Sequence, residues 1–215
     1  MSESQDRIKR AHHLDGIPDR IDTYYGDWAA SYDEDLRLTE YRGPAELGDL
    51  FGAVVDERPG AIGAGSVVLD AGCGTGLVAA VLARRGVTVI DGFDLSESMV
   101  AQARRTGVYR SLTAGVDMNK GLVEFADDTY DVTVSCGVFT LGHVPPAGLR
   151  GLLRVTKPGG LVVLSTFSKY LKDSGFVEYV QRQVDDGALK VVERRQDAPY
   201  TAEGPADYWV FEVLR

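Results

Sequence analysis

The sequence predicts an α/β fold with a largely parallel, doubly wound sheet, on three observations. Residues 67–76 read VVLDAGCGTG, an apolar run that passes through Asp70 into glycines at 72, 74 and 76. The stretch after it, LVAAVLARRG, reads as a helix closed by a C-terminal glycine. Further units of an apolar run followed by a turn or helix start recur downstream to about residue 165.

The first run fits a strand buried on both faces of a parallel sheet. Alternating glycines let the backbone turn sharply and let a ligand reach main-chain atoms that a Cβ would shield. Strand, glycine turn and helix together open a nucleotide-binding unit. The second unit, VTVIDGFDLSESM at 87–99, is an apolar strand ending in an acid, then a helix start with Ser96 as N-cap and Glu97 in the first turn. An acid at this strand tip is where such folds hydrogen-bond ribose hydroxyls. Asp94 takes that role in preference to Asp91, which lies inside the strand pattern. A third strand over 111–115 leads to Asp117 and Met118. A fourth follows the passage FADDTYD at 125–131 and runs to Ser135 and Cys136. At 157–160, KPGG stops a helix at Pro158 and supplies a tight turn into a fifth strand.

Flanking this region, residues 1–15 read as a polar tail in which His12 and His13 are solvated rather than metal-binding. Segments 18–36 and 44–57 read as helices, the second with Pro44 at an N1-like position, and 59–65 as a flexible join. The C-terminal third predicts a helix near 172–186, a strand near 188–195, a loop at 198–206 and an alternating strand at 208–214, a hairpin-like end.

The glycine spacing separates two ligand classes. The dinucleotide fingerprint is G-x-G-x-x-G, whereas this loop is G-x-G-x-G with Asp70 at the strand end. A carboxylate there suits a cation better than a pyrophosphate. Here the chain resembles the class I S-adenosylmethionine (SAM)-dependent methyltransferases, and ordered motifs carry the resemblance over residues 65 to 168. The segments YYGDWAASYDED at 24–35 and GVFTLGHVP at 137–145 are similar to the methyltransferase-like 27 group and related bacterial small-molecule methyltransferases, with Gly26 departing from the pattern.

The resemblance implies a Rossmann-like seven-stranded sheet, mostly parallel with an antiparallel C-terminal strand and helices on both faces. It implies SAM as cofactor and S-adenosylhomocysteine as product, with contacts from Asp70, Ala71, Gly72, Cys73, Gly74 and Gly76. Asp94 would take the ribose; Leu95, Met99, Asp117 and Met118 the adenine. Met99 equally fits plain helix-to-sheet packing. Ser135 would border the cofactor at the end of the fourth strand. Residues 1–58 would form a helical lid on a core at 59–215, with Tyr25, Trp28 and Tyr32 near the cofactor. Their helical spacing also fits an ordinary core stripe.

At 215 residues and 44% hydrophobic content, the chain is long enough for one domain with a full core. The formal charge of −9 argues against a nucleic-acid surface. With no apolar run of spanning length and no secretory pattern, a soluble cytoplasmic protein is expected, without a membrane partner. Cys73 and Cys136 make no disulfide framework; a reduced pair near the cofactor is expected.

Methyl transfer from a sulfonium is an in-line displacement with an activated leaving group, so positioning carries much of the catalysis. A base is needed only if the nucleophile arrives protonated. The loop at 135–143 lacks the [D/N]-P-P-[Y/F/W] and Pro-Cys patterns of enzymes that methylate nucleobases or glutamine, which disfavours those acceptors. The compact chain, with no large insertion after the fifth strand, suggests a pocket for a small molecule, and an O or N acceptor on one is expected. A peptide acceptor and a non-catalytic SAM-binding regulator are the alternatives. His143 is the candidate base, against a loop histidine bonded to backbone. Tyr41, Phe139 and Tyr170 are the candidate acceptor contacts.

Overall fold

The computed structural model describes residues 3–57, 62, 63 and 65–215. The expected boundary at 58/59 and most of the join at 59–65 lie outside the described residues. Five strands, β1 (Val67–Ala71), β2 (Val89–Asp94), β3 (Ser111–Ala114), β4 (Tyr130–Phe139) and β5 (Thr156–Phe167), pair in parallel, and β6 (Leu189–Thr201) and β7 (Gly204–Val213) add an antiparallel hairpin. The sheet order is β3-β2-β1-β4-β5-β7-β6. This is the expected seven-stranded sheet.

The order reverses at β1. Leu69 lies opposite Asp91 on one side and Thr133 on the other. The connections leaving β1 and β4 run in opposite directions, so a crevice opens beyond their carboxyl ends, where doubly wound sheets place ligands. Central strands are apolar along their length because helices and neighbouring strands cover them; Val68, Leu69, Val132, Val134 and Phe211 are fully buried. The helices α5 (Leu77–Arg84), α6 (Glu97–Arg105) and α7 (Leu149–Val155) lead from or into these strands, and α4 (Gly43–Glu57) lies beside α5 and across β4, β5, β6 and β7.

Five local readings are corrected. Residues 1–15 are not simply a tail: α1 (Glu3–Ala11) is amphipathic and buries Ile8 and Ala11 against the helices that follow. Its end delivers His12 into the fold, where the ring stacks on Phe167 with centroids 4.8 Å apart and Nδ1 lies 3.0 Å from Glu203 Oε2. The expected helix at 18–36 is two, α2 (Pro18–Trp28) and α3 (Tyr32–Leu38), because the chain turns at Ser31, whose N–H bonds the Trp28 carbonyl. The expected helix near 172–186 divides at Gly175, with φ of 68°, into α8 (Ser168–Ser174) and α9 (Phe176–Asp185). The predicted loop at 198–206 is mostly strand, since an edge strand with bulges accommodates Pro199. The KPGG segment forms a bulge at the start of β5, between pairs Tyr130–Thr156 and Val132–Leu161, rather than a separate turn.

Candidate cofactor-binding site

The glycine loop after β1 folds back onto β2: the N–H groups of Gly72 and Cys73 both donate to the Phe93 carbonyl, at 3.0 and 2.8 Å. That brings Gly74 beside the tip of β2, where its N–H donates to Asp94 Oδ2 at 2.8 Å. Asp94 Oδ1 accepts the Ser96 N–H at 2.9 Å. An ionised carboxylate offers about four lone-pair sites, so two remain for a pair of ligand hydroxyls. Burial raises the Asp94 pKa, opposed by the Ser96 and Gly74 N–H groups. Asp91 differs: Arg110, Ser111 and Tyr130 all donate to it. Burial raises its pKa, but the hydrogen bonds from Arg110, Ser111 and Tyr130 and the Arg110 charge together leave it lowered. Asp91 is an internal tie.

Asp94 lines a cavity of about 750 Å³ of empty space, its solvent mouth included. Gly72, Gly74, Leu95, Met99, Asp117, Met118, Tyr25, Tyr32 and His143 also line it, so nine further expected site residues converge. A Cβ on Gly74 would meet no protein atom within 4 Å. With φ of 53°, the loop presents bare backbone to the cavity. Asp117 caps the 3₁₀ turn Met118–Lys120; its Oδ1 accepts from both the backbone and side-chain nitrogens of Asn119, each at 2.9 Å. Its other oxygen leaves acceptor capacity for an amine.

His143 sits on the opposite wall. Its Nδ1 lies 2.8 Å from the Leu141 carbonyl, which can only accept, so that nitrogen carries the hydrogen. Nε2 is therefore the lone-pair nitrogen, and it accepts from the Tyr25 hydroxyl at 2.8 Å. Burial pushes the ring down to about 4, so the imidazole is neutral at physiological pH. Tyr25 is raised well above its ordinary value by burial and keeps its proton.

Several expected contacts fall outside the cavity. Asp70 is 1% exposed beneath the loop, with Oδ2 accepting from Tyr109 at 2.7 Å and Oδ1 making no full hydrogen bond. Burial lifts its pKa to about 7, against Tyr109 and the Ala79 N–H in the first turn of α5. The Ala71 carbonyl accepts from Ser135 Oγ at 2.9 Å, so both are spent tying β1 to β4. Gly76 makes room for Tyr109 and Thr106, which a Cβ would meet at 3.1 and 3.2 Å. Cys73 is buried behind the loop, whereas Cys136 lines the cavity and meets Tyr41 Oη at 3.4 Å; the cofactor-adjacent pair reduces to one member. Trp28 belongs to the helices' own core, with Nε1 donating to Asp35 at 2.7 Å. Phe139 is fully buried against Phe176, and Val138, one residue back, faces the cavity. Tyr41 borders a smaller void beneath the N-terminal helices and Tyr170 an open cleft beyond His143.

Sequence reasoning missed Tyr109, the hydroxyl partner of Asp70, and Asn119, whose signal was the Asp-x-Asn spacing of a side-chain-capped turn. It also missed the Thr75–Asp33 hydrogen bond joining the glycine loop to α3. Nothing local announces that contact.

Fold and site define an α/β protein with a ligand crevice at the strand-order reversal, acids at two strand tips and a bare glycine backbone between them. Residues 69–164 match the family described as a methyltransferase domain. Human methyltransferase-like protein 27 is 34% identical over 168 residues, 77% of this chain and 65% of its own length. A ubiquinone biosynthesis O-methyltransferase of Pseudomonas fluorescens is 34% identical over 164 residues, 70% of this chain and 66% of its own. A TehB-like SAM-dependent methyltransferase from Corynebacterium glutamicum shares the fold with a TM-score of 0.62 at 20% identity, over 87% of this chain and 97% of that one. The chain belongs to the class I SAM-dependent methyltransferases. It spans about two thirds of the length of the curated relatives it matches.

Proposed function

We propose that the chain transfers a methyl group from SAM to a small-molecule oxygen or nitrogen, with oxygen favoured. The observation that carries this reading is the Tyr25–His143 pair on the wall of the cofactor cavity. Asp94 would hold the ribose, Asp117 the adenine amine, and the Gly72–Gly74 backbone the amino-acid end. Bound there, SAM supplies a methyl group on a positively charged sulfur, a leaving group that needs no acid. The protein's remaining task is the acceptor's proton.

An O–H acceptor loses that proton as its bond to carbon forms. Tyr25 can accept it while giving its own hydrogen to His143 Nε2, a relay whose direction the Leu141 carbonyl enforces by holding the Nδ1 hydrogen. A ring titrating near 4 is too weak to ionise a hydroxyl beforehand. It suits a proton that leaves in concert with methyl transfer. The name of the Pseudomonas relative supports an oxygen acceptor. The net charge of −9 favours a small molecule over nucleic acid.

His143→Ala should lower kcat by roughly 10²- to 10³-fold and leave S-adenosylhomocysteine affinity within about twofold. The wild-type kcat should stay flat from pH 8 to about 5 and bend only near pH 4, because the ring is neutral until then. An acid limb at 6.5 would mean a freely titrating imidazole. Full kcat in His143→Ala would remove the relay and leave an acceptor nitrogen that arrives deprotonated.

A further inference from the structure

A second, wider cleft begins where the cofactor cavity ends. The two share Asn119, His143 and Val144, so the cleft opens from the proton-accepting wall. It holds about 920 Å³ of empty space with its solvent mouth, between the segment at 14–16, the loop at 140–145 and α8. Two buried hydroxyls line it without full hydrogen bonds. Thr140 Oγ1, in a residue 2% exposed, has no partner. Tyr170 Oη, in a residue 4% exposed, makes none either, though Ser174 stands beside it. A buried polar atom left unpaired costs about 1–3 kcal/mol, so one on each of two elements flanking the cleft, the 140–145 loop and α8, points to polar groups of a ligand.

Charge narrows the class. Among the described residues no lysine or arginine lines the cleft, and the one lining histidine is the neutral His143. The charged lining residues are two acids. Asp15 is engaged by Arg20 and the Ile17 N–H, whereas Asp173 is exposed and unpaired at the mouth. A carboxylate or phosphate would meet no cation among the described lining residues, Arg20 being held by Asp15.

We propose that this cleft is the acceptor site, and that the acceptor is a hydroxylated small molecule bearing a protonated amine, whose ammonium meets Asp173 while its hydroxyls satisfy Thr140 and Tyr170. The assignment rests on the methyltransferase reading. Transfer then runs from the acceptor hydroxyl: the O–C bond forms, the S–C pair returns to sulfur, and the proton leaves toward Tyr25 and His143.

Three probes of one shape but different charge test it: tyramine, 4-ethylphenol and 4-hydroxyphenylacetate, titrated by calorimetry into protein saturated with S-adenosylhomocysteine. Tyramine should bind at least tenfold more tightly than 4-hydroxyphenylacetate, with 4-ethylphenol between. Asp173→Asn should cut the tyramine-to-acid ratio at least threefold. Thr140→Val should weaken all three alike and leave the ratio unchanged. Neither substitution should alter S-adenosylhomocysteine affinity, because neither residue lines the cofactor cavity. Preference for the acid, a ratio indifferent to Asp173→Asn, or no binding of any probe by cofactor-loaded protein overturns the proposal. Failure to bind S-adenosylhomocysteine would instead sink the methyltransferase reading.

Discussion

Three aspartates within 25 residues of one another, Asp70 and Asp91 buried and Asp94 half-buried at the cavity, have three different fates, set by what donates to each. Asp91 is saturated by Arg110, Ser111 and Tyr130 and serves the fold. Asp94 spends half its capacity on backbone N–H groups and aims the rest at the cavity. Hydrogen bonds to a charged group contribute about 1.5–3 kcal/mol, so Asp94→Ala should weaken S-adenosylhomocysteine by roughly ten- to a hundredfold by calorimetry. Unchanged affinity in a folded variant would put the ribose elsewhere. Asp70 keeps one oxygen without a full partner, and its folded pKa stands near 7 against an ordinary 3.8. A carboxyl raised in this way favours folding while it is neutral, below 3.8, and loses that contribution as pH rises through 7. Asp70→Asn should therefore be more stable than wild type at pH 8, by up to about 4 kcal/mol, with the gain vanishing toward pH 4. Denaturant titration at the two pH values checks it; a gain independent of pH would show that burial of charge is not its cause.

At the scale of elements, the N-terminal helices combine two behaviours that the sequence presented as rivals. Ile8, Trp28 and Leu36 give them a small core of their own. Tyr25 and Tyr32 face the cofactor cavity from the same helices. Their ties to the rest of the fold include Thr75 to Asp33, Tyr25 to His143, the His12 ring stacked on Phe167, and Leu77 of α5 packed against their core. A unit held this way can lift as one body, and elements that gate a site are drawn from the less stable parts of a fold. Hydrogen exchange over residues 18–38 should slow at least tenfold when S-adenosylhomocysteine is added, while β1 and β4 change little. Slow exchange there without ligand would make these helices permanent core.

For the whole molecule, the cofactor stabilises what it binds. At a hundred times its dissociation constant a ligand contributes about 2.7 kcal/mol, and for a chain of this size each kcal/mol moves Tm by roughly 2–4 °C. S-adenosylhomocysteine should raise Tm by about 5–10 °C and NAD by none, since Asp94 and the bare Gly74 backbone fit an uncharged diol and not a pyrophosphate. The reverse pattern would return the chain to the dinucleotide class. Among the described residues, no helix is long and apolar enough to cross a membrane.

By itself the sequence determined the parallel core, the glycine turn, the acids at two strand tips and the antiparallel end, because strand periodicity, glycine turns and caps are properties of neighbouring residues. The choice of Asp94 over Asp91 was legible for the same reason: one falls at the tip of an apolar run and the other inside it. What only the tertiary structure decided lies in contacts between distant segments. It turned Asp70 beneath the loop onto Tyr109, spent Ser135 on the Ala71 carbonyl, divided one predicted helix at Ser31, and closed Tyr25 onto His143 across 118 positions of sequence. A side chain's partner across the fold depends on how the sheet twists and where helices dock, and no local pattern encodes that.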